Sequence, residues 1–314
     1  MALVPAVSYA MAGIAANLRL RRTSNVVVVH AQFPSNVYAW SRACAESGAT
    51  LCTVAPPSLL GEPNRAVAWT QRVLEAIDAD TALVAIDAVH WTDGTWFDLA
   101  AIGTQARHHG ALFVIDGTQA VGAQPIDVDA LGVDALVCAG YKWLLGPYST
   151  GFAYLGERCI GGRPLEETWI GRVGSEDFRR LVEYRDDYQP GATRFDVGER
   201  SNFALNPMSI AALDQLQQWG VTNIQAYCAR LCDRIAQGAR ALGYGVEDRP
   251  GRAAHLFGVR SPPGVSDAAL SAALARHRVI VSLRGSAVRI SPHVYNDERD
   301  ADALLAALAE ATGS

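Results

Sequence analysis

The chain has 314 residues, half of them hydrophobic and 19% charged, with a formal net charge of −5. That length suits one large α/β unit, or a large domain with a smaller one, and the ordinary composition excludes a disordered, collagenous or coiled-coil chain. With 27 lysines and arginines against 32 acids, no basic footprint for nucleic acid is present.

Residues Ala2 to Leu18 carry no charge. A secretory signal would place its basic residues first, whereas Arg19, Arg21 and Arg22 follow the apolar run. Pro5, Gly13 and Asn17 interrupt it, and it is short for a bilayer span. It therefore reads as buried core of a cytoplasmic protein with no membrane role. Next come short apolar runs at Val26–His30, Thr50–Val54, Thr81–Ile86, Ala111–Ile115 and Asp134–Cys138. Such runs predict strands buried on both faces, as in a parallel sheet. Between them, Ala66, Trp69, Val73 and Ile77 share one helical face. A further helix ends near Arg107, His108 and His109 and is stopped by Gly110. Strands alternating with helices predict an open, doubly wound sheet.

Residues 157–200 show weak periodicity and read as a long irregular excursion, a kind of segment that is often functional. A helical pattern runs from Asn206 to about Leu242, with a break at Gly220. A strand (His255–Arg260), a helix (Ser266–His277), two short strands (Val279–Ser282 and Ala287–Ser291) and a helix from Asp297 complete the chain. Asp297 and Asp300 supply an N-cap and acid in the first turn. The expected division is a large α/β domain over 1–219 and a small α+β domain over 220–314. The six cysteines are too sparse for a disulfide framework. Cys228 and Cys232 share a helix face but lack further metal ligands nearby, so all six are expected to be reduced, packed thiols.

The common nucleotide, zinc-protease and serine-hydrolase motifs are absent. Two other features each end a buried strand: Ile115-Asp116-Gly117-Thr118-Gln119 and Gly140-Tyr141-Lys142-Trp143. Ligands bind at the carboxyl ends of strands in open parallel sheets. An Asp after a strand is commonly a turn residue, and a loop lysine is commonly solvated. A carboxylate and a lysine at neighbouring strand ends, however, are the two groups that pyridoxal 5′-phosphate (PLP) chemistry requires. The amine forms a Schiff base, and the carboxylate keeps the pyridine nitrogen protonated so that the ring acts as an electron sink.

The segment from Phe113 to Val128, with Cys138 to Pro147, resembles the class V aminotransferase family. Val288-Arg-Ile-Ser-Pro-His-Val-Tyr-Asn-Asp resembles that family's substrate-binding stretch near the C-terminus. The resemblance implies a fold-type-I PLP architecture. It implies Lys142 as the Schiff-base lysine and Asp116 as the pyridinium partner. Gln119 would contact the cofactor's phenolic oxygen, Tyr141 its phosphate, and Val7 with Ser8 would open the helix that holds the phosphate. Phe33 would stack on the ring and Trp91 would line the pocket. Arg289 would clamp the substrate carboxylate. His90 reads as a satisfied core histidine.

Three departures refine the expectation. The stretch Val281 to Arg289 has no cysteine, which disfavours persulfide chemistry. Where the family carries a Gly-Thr-Pro reaching the partner's phosphate, this chain has Phe195 to Asn202. Arg200 or Ser201 is then the candidate substitute, and Glu199 would repel a phosphate. The chain also begins almost at the phosphate-binding helix, so a reduced small domain or a truncated start is expected. The resulting expectation is a homodimeric PLP enzyme acting on the amino group or Cα of an α-amino acid. Transamination is the first choice. The alternatives are lyase or epimerase chemistry, or a non-catalytic or truncated PLP-fold protein. A nicotinamide-dependent dehydrogenase would rest on the sheet alone.

Overall fold

A computed structural model describes residues 1–285 and 287–313. The first half builds β1 (Ala2–Val4), α1 (Val7–Ala15), β2 (Asn25–Val29), α2 (Tyr38–Ser47), β3 (Thr50–Val54), α3 (Arg65–Glu75) and β4 (Thr81–Asp87). It continues through α4 (Leu99–His108), β5 (Leu112–Asp116), α5 (Val128–Leu131), β6 (Ala135–Ala139) and β7 (Gly151–Leu155). These strands form one seven-stranded sheet in the order β1-β7-β6-β5-β4-β2-β3. Strands β2 to β6 pair in parallel, and β7 runs antiparallel to both β6 and β1.

Alternation within a strand feeds both faces of this sheet. Val84 and Ile86 of β4 enter one apolar core, while Leu83 and Ala85 enter the other. Burial on both faces thus accounts for the continuous apolar runs. β3 is the exception. It lies at the sheet edge, so Thr50 and Thr53 are exposed and Leu51 is only half buried. β7 was not anticipated. Its buried and half-buried residues alternate, which dilutes the run that marked the other strands. The N-terminal apolar stretch is β1 followed by α1, with Met11 fully buried.

Residues 157–200 hold α6 (Glu157–Ile160) and three short 3₁₀ turns, as an irregular excursion should. α7 (Leu205–Trp219) and α8 (Val221–Ala241) meet at Gly220, whose φ of +77° suits glycine. β8 (Gly245–Val246), β9 (Phe257–Arg260), α9 (Asp267–Arg276), β10 (Ser282–Arg284), β11 (Ala287–Ile290) and α10 (Glu298–Thr312) follow. The four strands make an antiparallel sheet in the order β10-β11-β9-β8. Asp297 and Asp300 form the capping box of α10.

One expected strand is displaced. Val279–Ser282 gives way to Ser282–Arg284, because Arg278 turns left-handed and the Val279 amide bonds back to Leu274 O at 2.9 Å. Val279 therefore closes α9 and does not open a strand.

The two sheets meet along a backbone seam. A Cβ on Gly94 would lie 2.2 Å from Leu256 O, and one on Gly61 would lie 2.4 Å from Val246 N. Among the described residues, no helix is long and apolar enough to cross a membrane. All six cysteines are free, and Cys228 and Cys232 are buried.

Candidate active site

The strand order reverses between β2 and β4, and the carboxyl ends of β2, β4, β5 and β6 open there onto a cavity of about 260 Å³. Every residue named above as a cofactor contact lines it: Val7, Ser8, Phe33, Trp91, Asp116, Gln119, Tyr141 and Lys142. Arg289 is not part of the wall. It stands beside it, its Nη1 donating to Trp91 O at 2.9 Å.

Asp116 ends β5 and is buried. Its Oδ1 accepts from the Thr118 amide at 2.9 Å, and Thr118 Oγ1 accepts from the Ala139 amide at 3.1 Å, which pins this loop to the end of β6. Burial raises the Asp116 carboxyl, partly offset by its hydrogen bonds with Thr118 and by the Lys142 cation. A buried carboxyl in this state is poised for a cationic partner.

Lys142 follows β6 on a tight loop. The Leu145 amide returns to Lys142 O at 2.9 Å, and the Gly146 amide to Gly140 O at 2.8 Å. Burial lowers the Lys142 amine; Asp116 opposes this, and Arg289 and Arg284 reinforce it. A lowered amine is a better nucleophile and a better base near neutral pH. Its Nζ lies 5.3 Å from the Phe33 ring centroid.

Gln119 is held at both ends. Trp143 Nε1–H donates to its Oε1 at 3.2 Å. An indole nitrogen can only donate, so this contact fixes the amide orientation and leaves Nε2 as the free donor. The His255 ring nitrogen Nε2 lies 2.6 Å from Gln119 O. Burial pushes His255 down to about 4. The ring is therefore neutral, with its Nε2–H donating to that carbonyl.

The walls are aromatic. Phe33 and Trp91 meet edge to face with centroids 5.4 Å apart, and Trp91 Nε1 donates to Ala31 O at 2.7 Å. Tyr141 packs on Tyr148 at 4.2 Å. At the opposite end, α1 starts at Val7 behind Ala6, which provides no side-chain cap. The first amides of a helix have no partner within it and bind anions well.

Three contributors escaped the sequence reading. Asp87, the last residue of β4, pairs in register with Asp116 and lines the same cavity. Burial, with the neighbouring Asp116 charge, pushes Asp87 up to about 7. Its signal was an acid closing an apolar strand run. Trp143 and His255 had no such signal, because they act through Gln119 and meet only in three dimensions. His90 lies outside the cavity wall and is satisfied, with Nε2 3.0 Å from His30 O and Nδ1 2.8 Å from Thr92 Oγ1. Arg200 is committed to Asp196 at 2.5 Å, and with Glu199 it lines a separate apolar groove.

A strand-end lysine, a buried strand-end carboxyl and an open helix N-terminus around one cavity define a fold-type-I PLP-dependent enzyme. The chain belongs to the aminotransferase class-V family, whose model matches residues 6–304. It is 28% identical over 302 residues to an uncharacterized aminotransferase, YcbU, of Bacillus subtilis, covering 96% of this chain and 76% of that protein. It is 26% identical over 329 residues to isopenicillin N epimerase of Streptomyces clavuligerus, covering 100% and 80% respectively. The fold is similar to a cystine C-S lyase solved with its product cysteine persulfide, with a TM-score of 0.81 at 20% identity over 98% of this chain and 81% of that one. It is also similar to the cysteine desulfurase of Thermococcus onnurineus, with a TM-score of 0.74 at 20% identity over 98% and 78%. The cofactor of the family is PLP, and the groups around this cavity fit it: an acceptor for a protonated ring nitrogen, an amine for the aldehyde, and N–H donors for the phenolic oxygen and the phosphate. The protein is an enzyme that acts on amino acids.

Proposed function

We propose that this enzyme is an aminotransferase that uses Lys142 both to hold PLP and to move the proton at the substrate Cα. The observation that carries this reading is the convergence of Lys142, Asp116 and the start of α1 on one cavity. When bound, the cofactor supplies an electron sink for carbanion chemistry. Lys142 Nζ is the atom of covalent attachment, and its lowered basicity suits it to abstract and return a proton once displaced. Asp116 keeps the pyridine nitrogen protonated, and Gln119 Nε2 donates to the phenolic oxygen. Val7 and Ser8 amides bind phosphate, with Tyr141 beside it. Phe33 stacks on the ring, Trp91 closes the side wall, and Arg289 orients the substrate carboxylate.

No cysteine lines the cavity among the described residues, which argues against a mechanism in which an enzyme thiol accepts sulfur from the substrate. A homodimer is the assembly we favour. Phe203, Met208 and Ile210 are exposed, and Ile210 borders an apolar groove lined by Leu3, Val4 and Leu213. We read residues 1–219 and 220–314 as the large and small domains, and the location as cytoplasmic. The direct experiment is to load the protein with PLP and supply an amino acid with a keto-acid acceptor. Visible absorbance that borohydride bleaches while leaving the cofactor covalently attached, and stoichiometric keto-acid product, are expected. Ammonia release without acceptor consumption would replace transamination by lyase chemistry.

A further inference from the structure

Arg289 has a neighbour that the reading above leaves without a task. In the β10–β11 hairpin, Arg284 pairs with Ala287 and Ser282 pairs with Arg289. Directly paired residues of an antiparallel ladder share a face, as do residues two apart. Arg284 and Arg289 therefore project from the same face of one hairpin. Both reach Trp91. Arg289 Nη1 donates to its carbonyl at 2.9 Å, and the Arg284 guanidinium carbon stands 5.7 Å from its ring centroid. The indole is itself fixed by Ala31 O and braced by Phe33, so it makes a rigid platform.

Neither guanidinium is neutralised. Among the described residues, neither forms an ion pair. Arg284 Nη1 donates only to its neighbour's carbonyl, Leu283 O, at 2.8 Å. The Nε of each arginine is buried without a partner. The two carboxyls on the cavity floor, Asp87 and Asp116, are committed elsewhere. Asp116 serves the cofactor ring, and Asp87 accepts from Asn36 Nδ2 at 3.3 Å. Two half-buried like charges on one face of a hairpin, each with its Nε buried and unpartnered, are costly, and a planar guanidinium is suited to bidentate capture of a carboxylate. A substrate with one carboxylate would answer one of them and leave the other uncompensated.

Resting on the function proposed above, the geometry points to an amino acid with an acidic side chain as the substrate class, its α-carboxylate on Arg289 and its second anionic group on Arg284. The hairpin then reads the side chain by charge, and Trp91 sets where the reading group sits.

The test uses the PLP-loaded protein and visible absorbance, with L-glutamate and L-aspartate titrated against the neutral isosteres L-glutamine and L-asparagine. At least one acid is expected to bind ten-fold or more tighter than its amide. Arg284→Gln should collapse that ratio to near one by weakening the acid alone, and Arg284→Lys should restore part of it. Arg289→Gln should weaken acid and amide together. The proposal is overturned if the native protein binds both amides as well as the acids, or if Arg284→Gln weakens acid and amide equally. The latter result would place both arginines on one carboxylate. A protein that takes up PLP and responds to amino acids without preferring acids defeats the inference alone. A PLP-loaded protein silent toward these four but responsive to another amino acid also defeats the inference alone, whereas a protein that takes up no PLP at Lys142 defeats the underlying function, and this inference with it.

Discussion

Trp143 donates its indole N–H to Gln119 Oε1, and with that contact it decides which end of the amide faces the cavity. Trp143 is thus a positioning residue that acts through Gln119. In Trp143→Phe the amide is free to rotate, and a donor to the cofactor's phenolic oxygen is lost for part of the time. A hydrogen bond to a charged group contributes about 1.5–3 kcal/mol. The visible absorbance of the bound cofactor should therefore titrate about one pH unit away from the native value, at unchanged fold. A pH titration of the spectrum checks it, and an unmoved titration curve would separate Trp143 from Gln119.

Lys142→Ala should abolish fixation of PLP by borohydride. Turnover should fall by at least the roughly 10²–10⁴-fold that a positioned proton carrier contributes. Thermal stability should stay near native, because the side chain borders a cavity and is only half buried. Retained covalent labelling would move the attachment site to another residue.

His255 carries an acid-side signature. Its folded value of about 4 lies below the unfolded value near 6.5. Between those pH values the unfolded chain binds more protons, so stability falls as pH drops through that window. The full loss is about 3 kcal/mol at the two-to-three-unit difference. His255→Gln keeps a donor for Gln119 O but cannot titrate. Its melting temperature should decline less than the native one between about pH 6.5 and pH 4.

Asp87 works in the opposite direction. Its folded value is raised to about 7 from an ordinary value near 4. The folded chain then binds the extra proton, and the associated stability is present at low pH and lost as pH rises through about 7. In the cofactor-free protein, Asp87→Asn should flatten the decline of the denaturation midpoint between about pH 4 and pH 7. An unchanged slope would assign that decline to other groups.

The strands nearest the site were the most legible part of the chain, because β4, β5 and β6 are buried on both faces and read as plain apolar runs. Asp116 and Lys142 were legible because each follows such a run. β3 and β7 depart from that rule by edge position and by alternation. The residues that support Gln119 were not legible. Trp143 sits beside Lys142 in sequence, but its partner Gln119 lies on another loop, and His255 reaches it from before β9. Such pairings are set by the tertiary fold and leave no periodicity. Asp87 is intermediate: its position at a strand end was visible, but its alignment with Asp116 depends on strand register.

The glycine seam between the two sheets has an evolutionary consequence. At Gly94 and Gly61, backbone lies against backbone with no room for a methyl group, and both glycines have positive φ. A library of random substitutions along that seam should return glycine at these two positions whatever substrate is selected for. The nearby β10–β11 turn has open space around Gly285, whose own φ of +57° favours glycine at that one position and leaves the strand residues on either side to vary. Diversification of this scaffold towards new amino acids is therefore channelled into the hairpin, where sequence can vary without disturbing how the halves are joined.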